Sequence, residues 1–211
     1  MRHDVDRRPE KALEMAILEN DLNFKSTYYF RTISETYKED IILQIKDLGH
    51  EIGYHYEVMA RNKGQKREAI RMFEKELQDM RQIVPIDTIC WHGSPLSKWP
   101  ERNLWDDYQM SDYGVLGDAF LSIDYSNLYY FTDTGRRWDD IFSVRDKMYS
   151  LSSEHRVKNT FELIELLPNL ENSVGINVHP QRWCRTNYHW FKEYASQNLK
   201  NLGKYFLKTI R

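Results

Sequence analysis

An α/β fold, with parallel strands and helical crossovers arranged as a (β/α) barrel, is what this sequence predicts, on three observations. Short β-rich runs alternate with helical stretches along the chain, and repeated strand–helix alternation implies parallel strands joined by right-handed crossovers. Several Asp and His residues fall at or just beyond the C-terminal ends of those runs, the edge at which such barrels build their sites. Finally, 211 residues suffice for one domain, 1–211, with a sizeable core.

The elements follow in order. The chain opens on Arg2-His3-Asp4-Val5-Asp6. So little sequence precedes Asp4 that the first strand is expected to be shortened or missing: either the native start lies upstream or the barrel is open at that seam. An incomplete first strand leaves its neighbour with an unpaired edge. Pro9 to about Asn20 reads as a helix, with Pro in its first turn and Ala12, Met15, Ala16 and Leu18 toward an apolar side. Ser26 to Phe30 is short and β-rich, hence a strand. Glu35 to Leu48 returns to helical spacing, stopped by Gly49. His50 to Tyr56 is the next strand. Lys66 to Val84 is a long charged helix with Ile70, Phe73, Leu77 and Met80 as its inner stripe, ended by Pro85. Thr88 to Trp91 is a strand running into His92-Gly93-Ser94-Pro95. Ser97 to Ser126 has weak periodicity and reads as long loops with short elements. Leu128 to Phe131 is a strand, Ile141 to Arg145 a further candidate, Asn159 to Leu167 a helix, Val174 to Val178 a strand, and Tyr188 to Ile210 a closing helix.

Composition excludes several classes. Thirty basic against thirty-two acidic residues leave no global field to draw in nucleic acid. No apolar run approaches the roughly 20 residues that span a bilayer. The start carries no apolar signal core, and Cys90 and Cys184 lack any CxxC spacing and read as reduced thiols. A cytoplasmic protein is expected, with the inner-membrane surface as the alternative. The closing helix reads as ordinary docking, with an interfacial role as its alternative.

The chemistry-bearing residues are Asp4 and Asp6, the run Gly49 to Glu57 with His55, then His92, Asp133 and His179. An Asp-x-Asp followed by a His on a separate strand supplies ligands for a divalent cation and leaves one carboxylate as a base. Capping explains one Asp at a strand-to-helix turn but not both. His50 reads as structural, and His3, His155 and His189 as bystanders. Glu57 is balanced between ligand and surface charge, and Asp133 between a functional group and a turn former. Arg145 and Arg182 either pair with an inward carboxylate such as Asp4 or bind an anionic group. Pro180 forces an extended backbone on His179. Tyr56 and Trp183 belong to an aromatic excess, 14% of the chain, that either stacks on sugar faces or packs the core.

Together, Arg2 to Asp6, Gly49 to Glu57, His92-Gly93-Ser94-Pro95, Thr132 to Arg136, Ser143 to Asp146 and His179 to Trp183 resemble the polysaccharide deacetylase (NodB-homology, carbohydrate esterase 4-like) superfamily. More narrowly, they resemble its bacterial branch with an Arg-His-Asp-Val-Asp start. The resemblance implies a distorted seven- or eight-stranded (β/α) barrel, one divalent metal with zinc first among candidates, and hydrolysis of an N-acyl group on a sugar. It makes Asp4 the general base, Asp6 and His55 metal ligands, and His179 the general acid. Three departures stand out. Tyr56 stands where the superfamily has Ser or Thr. Met59 occupies the place of the second metal His, and a thioether is a poor zinc ligand; the usual Arg-containing motif is replaced by Trp91 to Pro95. Either Glu57 or His92 fills the vacant position, or the metal is held weakly or not at all.

The expected function is therefore a metal-dependent hydrolase removing acetyl or formyl from an amino-sugar precursor, lipid- or nucleotide-linked, in bacterial surface-polysaccharide metabolism. The rival reading is an inactive barrel that binds glycan.

Overall fold

The computed structural model describes residues 1–94, 97–139, 150–183, 188, 190, 191 and 193–198. The chain forms two compact units, one of residues 3–123 and one of residues 124–211 with Met1–Arg2.

The first unit carries β1 (Arg2–Val5), α1 (Pro9–Asp21), β2 (Thr27–Phe30), α2 (Glu39–Asp47), β3 (Glu51–Tyr56), α3 (Val58–Arg61), α4 (Lys66–Arg81), β4 (Thr88–Trp91) and β5 (Gly117–Asp118). Its strands lie side by side in the order β5-β4-β3-β2-β1. The β2/β3, β3/β4 and β4/β5 pairs are parallel, as serial strand–helix units require. β1 is present and as long as β2 and β4, where a shortened or missing first strand was expected.

One expectation about the helices changes. α2 begins later than helical spacing suggested, because the buried Thr36 hydroxyl donates to the Arg31 carbonyl at 2.9 Å and holds the preceding residues in a turn. The segment after β4 carries short elements among its loops, as its weak periodicity suggested: 3₁₀ helices at Glu101–Asp106 and Met110–Tyr113 and the short strand β5.

The core forms where β3 meets α4. Ala69, Ile70, Phe73, Leu77 and Met80 make one buried stripe of α4, the spacing of an amphipathic helix. Phe73 packs against Tyr54 and Tyr56 with ring centroids 5.4 and 5.6 Å apart. Strand alternation then turns Gly53 and His55 to the opposite face. A Cβ on Gly53 would lie 2.3 Å from the Tyr29 ring, which is pinned by its hydroxyl to Thr88 Oγ1 at 2.9 Å. Gly53→Ala is accordingly expected to destabilise the protein by about 1–3 kcal/mol through overpacking. A urea melt measures this, and an unchanged midpoint would show that the ring yields freely.

His3 and His50 have structural partners. His50 accepts from Ser26 N–H at 3.2 Å on Nδ1 and donates from Nε2 to the Ala16 carbonyl at 3.0 Å, tying α1 to the β2 and β3 starts. His3 Nε2 lies 2.7 Å from Glu19, whose other oxygen accepts from the Tyr28 hydroxyl at 2.7 Å. Burial pushes the Glu19 carboxyl up, but His3 and Tyr28 outweigh it and hold the group below its usual range.

The second unit carries β6 (Tyr129–Thr132), α5 (Thr160–Leu166) and β7 (Val174–Val178). β6 and β7 run parallel, with Thr132 opposite Asn177. Asn159 caps α5, its side chain accepting from Phe161 and Glu162 N–H at 3.0 and 3.1 Å. The described residues between 188 and 198 are helical. The candidate strand 141–145 with Arg145, Cys184, His189 and the end of the closing helix lie outside the described residues. Among the described residues no helix is long and apolar enough to cross a membrane.

Candidate functional site

In the first unit, three strand ends converge. Asp4 is buried within β1, and Asp6 follows immediately, its N–H donating to the Asp4 carbonyl at 3.1 Å. The chain thus turns as the strand ends, keeping both carboxylates at its C-terminal edge. His55 is the penultimate residue of β3 and registers with Cys90 of β4. His92, two residues past Cys90, shares that residue's face and is fixed by its N–H donating to the Tyr56 carbonyl at 2.8 Å.

Donor atoms of Asp6, His55 and His92 all lie within 4.8 Å of one another. Asp6 Oδ1 is 3.4 Å from His55 Nε2 and 3.5 Å from His92 Nε2, and the two rings stand nearly perpendicular, at 88°. The far nitrogen of each ring is held by an acceptor. His55 Nδ1 lies 2.9 Å from the Cys90 carbonyl; a carbonyl only accepts, so Nδ1 carries the proton and Nε2 the lone pair. His92 Nδ1 lies 2.9 Å from Glu57 Oε1. Two imidazoles anchored through one nitrogen, with the other turned to a carboxylate, form the donor set and supporting shell that a divalent cation such as zinc requires. Asp4 forms a second close group with His55 and Cys90.

Glu57 stands outside the converging three. Its carboxylate binds His92 Nδ1, the Ser94 hydroxyl and the Arg31 guanidinium. Burial pushes its pKa up, but His92, Ser94 and Arg31 outweigh that and hold it at about 2. Burial disfavours charge on His92, yet the Asp6 and Glu57 carboxylates raise its pKa above the ordinary value. Met59 is buried in α3. The N–H groups of Met59 and Ala60 donate to the buried Glu101 carboxylate at 2.7 and 2.8 Å, and burial raises that carboxyl to about 7 against those two bonds.

In the second unit, Asp133 follows β6 and collects donors from the end of β7 and the turn beyond it. His179 Nδ1 lies 2.6 Å from Asp133 Oδ1, and His179 N–H donates to Oδ2 at 3.1 Å. Arg182 Nη1 donates to Oδ1 at 2.6 Å, and Trp183 Nε1 to Oδ2 at 3.1 Å. Burial pushes the Asp133 carboxyl up, but the Arg182 and His179 charges prevail and hold it at about 2. Arg182 is thereby paired with Asp133 rather than Asp4.

Of the two places considered for it, Tyr56 takes the one in the core rather than on a sugar face. Its ring is fully buried, its hydroxyl donates to Asp118 at 2.9 Å, and Trp105 Nε1 donates to that hydroxyl at 2.8 Å. β3 alternation sends Tyr56 to the helix side, away from His55. Tyr56→Phe is expected to cost about 1–3 kcal/mol, the penalty for stranding buried polar partners, while leaving affinity for any glycan unchanged. Thermal unfolding beside a glycan titration separates the two roles.

Sequence reasoning missed Arg31 and Glu101. Arg31 follows β2 directly, the same strand-end signal that marked His92 and Asp133. Glu101 had no local signal, since its partners lie some forty residues earlier.

The fold and donor set define an α/β protein with parallel strands and a candidate divalent-cation centre. Neither a protein-family model nor a curated protein sequence matches the chain. Among solved structures, a single-residue variant of the peptidoglycan deacetylase PdaC from Bacillus subtilis is similar, at 11% identity and a TM-score of 0.47, over 93% of this chain and 80% of that one. Both values are too low to bring that protein's activity to this chain.

Proposed function

We propose that this chain is a metal-dependent hydrolase of the polysaccharide deacetylase type, with its strands arranged as a (β/α) barrel. It removes an acetyl or formyl group from the nitrogen of an amino-sugar in bacterial surface-polysaccharide metabolism. The observation that carries the reading is the convergence of Asp6, His55 and His92, each ring braced at Nδ1 by an acceptor. His92 then fills the position that Met59 cannot, and Glu57 acts on His92 from behind rather than as a ligand.

Asp6, His55 and His92 would hold a divalent cation, which would supply Lewis-acid polarisation of the acyl carbonyl and a lowered water pKa. Asp4 accepts the proton of the attacking water. His179 donates from Nε2 to the departing amine nitrogen, while Asp133 holds Nδ1 and stabilises the imidazolium. Arg182 and Trp183 keep the Asp133 carboxylate in place.

The test is release of free amine from N-acetylated and N-formylated amino-sugars, assayed with added zinc, cobalt or nickel, for wild type and Asp4→Asn. Turnover lost on chelation, restored by metal and reduced at least 100-fold in Asp4→Asn is expected, the usual scale of general-base catalysis. Metal retention with no turnover on any such sugar would sink the hydrolase reading and leave a glycan-binding one.

A further inference from the structure

Glu101 is only 2% exposed and opens the 3₁₀ helix Glu101–Asp106. Its two oxygens take one backbone N–H each, Oε2 from Met59 at 2.7 Å and Oε1 from Ala60 at 2.8 Å. Four residues on, Trp105 Nε1 donates to the Tyr56 hydroxyl at 2.8 Å. One short helix therefore grips the chain on both sides of Glu57. Leu104, fully buried, seats that helix, and the Trp105 ring stands edge-on to Phe73 of α4 with centroids 5.1 Å apart.

The residue held between those grips has an exacting position. Glu57 Oε1 lies 2.9 Å from His92 Nδ1, and the same carboxylate takes the Ser94 hydroxyl and the Arg31 guanidinium. A carboxylate at Nδ1 fixes the ring proton there and leaves the lone pair on Nε2, the atom 3.5 Å from Asp6 Oδ1. A backbone shift of about 1 Å at Glu57 would take the contact out of hydrogen-bond range.

Stability alone does not account for a carboxylate at position 101. Burial pushes the Glu101 carboxyl up to about 7 against its two N–H bonds, with Glu57 adding to the rise and His92 opposing it. The cations of the neighbouring helices α3 and α4 are engaged with other carboxylates, Arg61 with Glu76 at 2.6 Å and Lys66 with Asp107 at 2.8 Å. Tyr54 and Tyr56 feel the Glu101 charge, and burial holds both phenols in the neutral form. A carboxyl raised in the folded state favours folding when protonated. That contribution is fully present below the ordinary 4.5 and is lost as pH rises through about 7. The ionised group thus works against the fold, yet only the ionised group offers both oxygens purely as acceptors, since protonation makes one of them a donor.

We propose that Glu101 is the positioning residue of the Glu57–His92 brace: by holding the Met59 and Ala60 N–H groups it keeps Glu57 against His92 Nδ1 and so selects the tautomer whose Nε2 faces Asp6. Its effect on cation binding rests on the proposed metal centre; the selection of the tautomer does not.

The test uses Glu101→Gln, whose single accepting oxygen leaves one of the two N–H groups without its partner; Glu101→Ser serves if the glutamine variant does not fold. Nitrogen-15 NMR of the His92 ring in the metal-free protein, in alkaline solution, reads the tautomer. Wild type is expected to hold the proton on Nδ1 and the variant to show a mixture. Zinc affinity by chelator competition is expected to fall about tenfold in the variant at about pH 8, the lower end of the range for support of a metal-bound His. At about pH 6 the two proteins should differ little, because the wild-type carboxyl is then protonated as well. In a Glu57→Gln background the change at Glu101 should add no further loss, since it acts through Glu57. An unchanged tautomer overturns the proposal, as does a loss of affinity that is equal at both pH values or additive with Glu57→Gln. A wild type that retains no zinc removes the metal centre, and the tautomer then decides the proposal by itself.

Discussion

His92→Ala is expected to abolish retention of a divalent cation, and Glu57→Gln to weaken it by about 10–100-fold, the range for the support of a metal-bound His. The two effects differ because the two residues stand on opposite sides of one ring. His92 turns Nε2 toward Asp6 Oδ1, 3.5 Å away, and Nδ1 toward Glu57 Oε1, 2.9 Å away. Alanine removes a donor atom from a set of three and leaves two, fewer than the three protein ligands that a zinc site with an open water position uses. Glutamine keeps the size of Glu57 but replaces the carboxylate with an amide, whose N–H₂ end meets the Nδ1 proton unless the group flips. It also leaves the Arg31 guanidinium without its carboxylate. Metal content after dialysis, with chelator competition for the affinities, measures both. His55→Ala is expected to match His92→Ala. Equal losses in Glu57→Gln and His92→Ala would mean that Glu57 is itself a ligand, and a cation retained by His92→Ala would remove the triad.

How much of this the sequence displayed depends on the range of the physics involved. Strand ends are local: Thr88 to Trp91 and Val174 to Val178 are bounded as their β-rich composition predicts, so His92 and His179 were legible as strand-end residues. The alternation Tyr54-His55-Tyr56 also contains the geometry in outline, since two rings bound for a helix leave the His on the other face. That same alternation argues for burial of Tyr56, the packing alternative of its two readings. What one-dimensional spacing does not encode is which side of a ring a carboxylate approaches. Glu57 lies two residues from His55 in sequence, yet it reaches His92 across the β3/β4 pair and anchors on Arg31 from a third strand end. The partnership of Asp133 with His179 spans 46 residues, and the pairing of Arg182 with Asp133 depends on the parallel register of β6 and β7. Long-range side-chain pairing is where sequence reading runs out, and that pairing separates ligands from the residues that position them.

Asp133→Asn is expected to lower turnover by about 10²–10⁴-fold and to cost about 3–5 kcal/mol in stability, the price of breaking a buried ion pair from one side. The buried carboxylate accepts from His179 N–H, His179 Nδ1, Arg182 and Trp183. An amide of the same shape has one accepting oxygen, so its N–H₂ end must face a donor whichever way it turns. Arg182 then keeps its charge without a counter-charge, and the His179 imidazolium loses the group that stabilises it. The pH dependence gives an independent reading. The Asp133 carboxyl sits at about 2 in the folded protein against an ordinary 3.8, so its ionised form favours the folded state. That contribution, roughly 2 kcal/mol, is fully present above the ordinary carboxylate pKa and is lost as pH falls toward 2. Wild type should therefore lose stability steeply over that acid range, and Asp133→Asn should be less stable at neutral pH but flatter below pH 4. Denaturant melts across pH measure the first effect, and turnover per folded molecule measures the second. A variant that loses stability on this profile but keeps its turnover would make Asp133 a structural anchor for β6 and β7, and His179 would then lose its assignment as the acid.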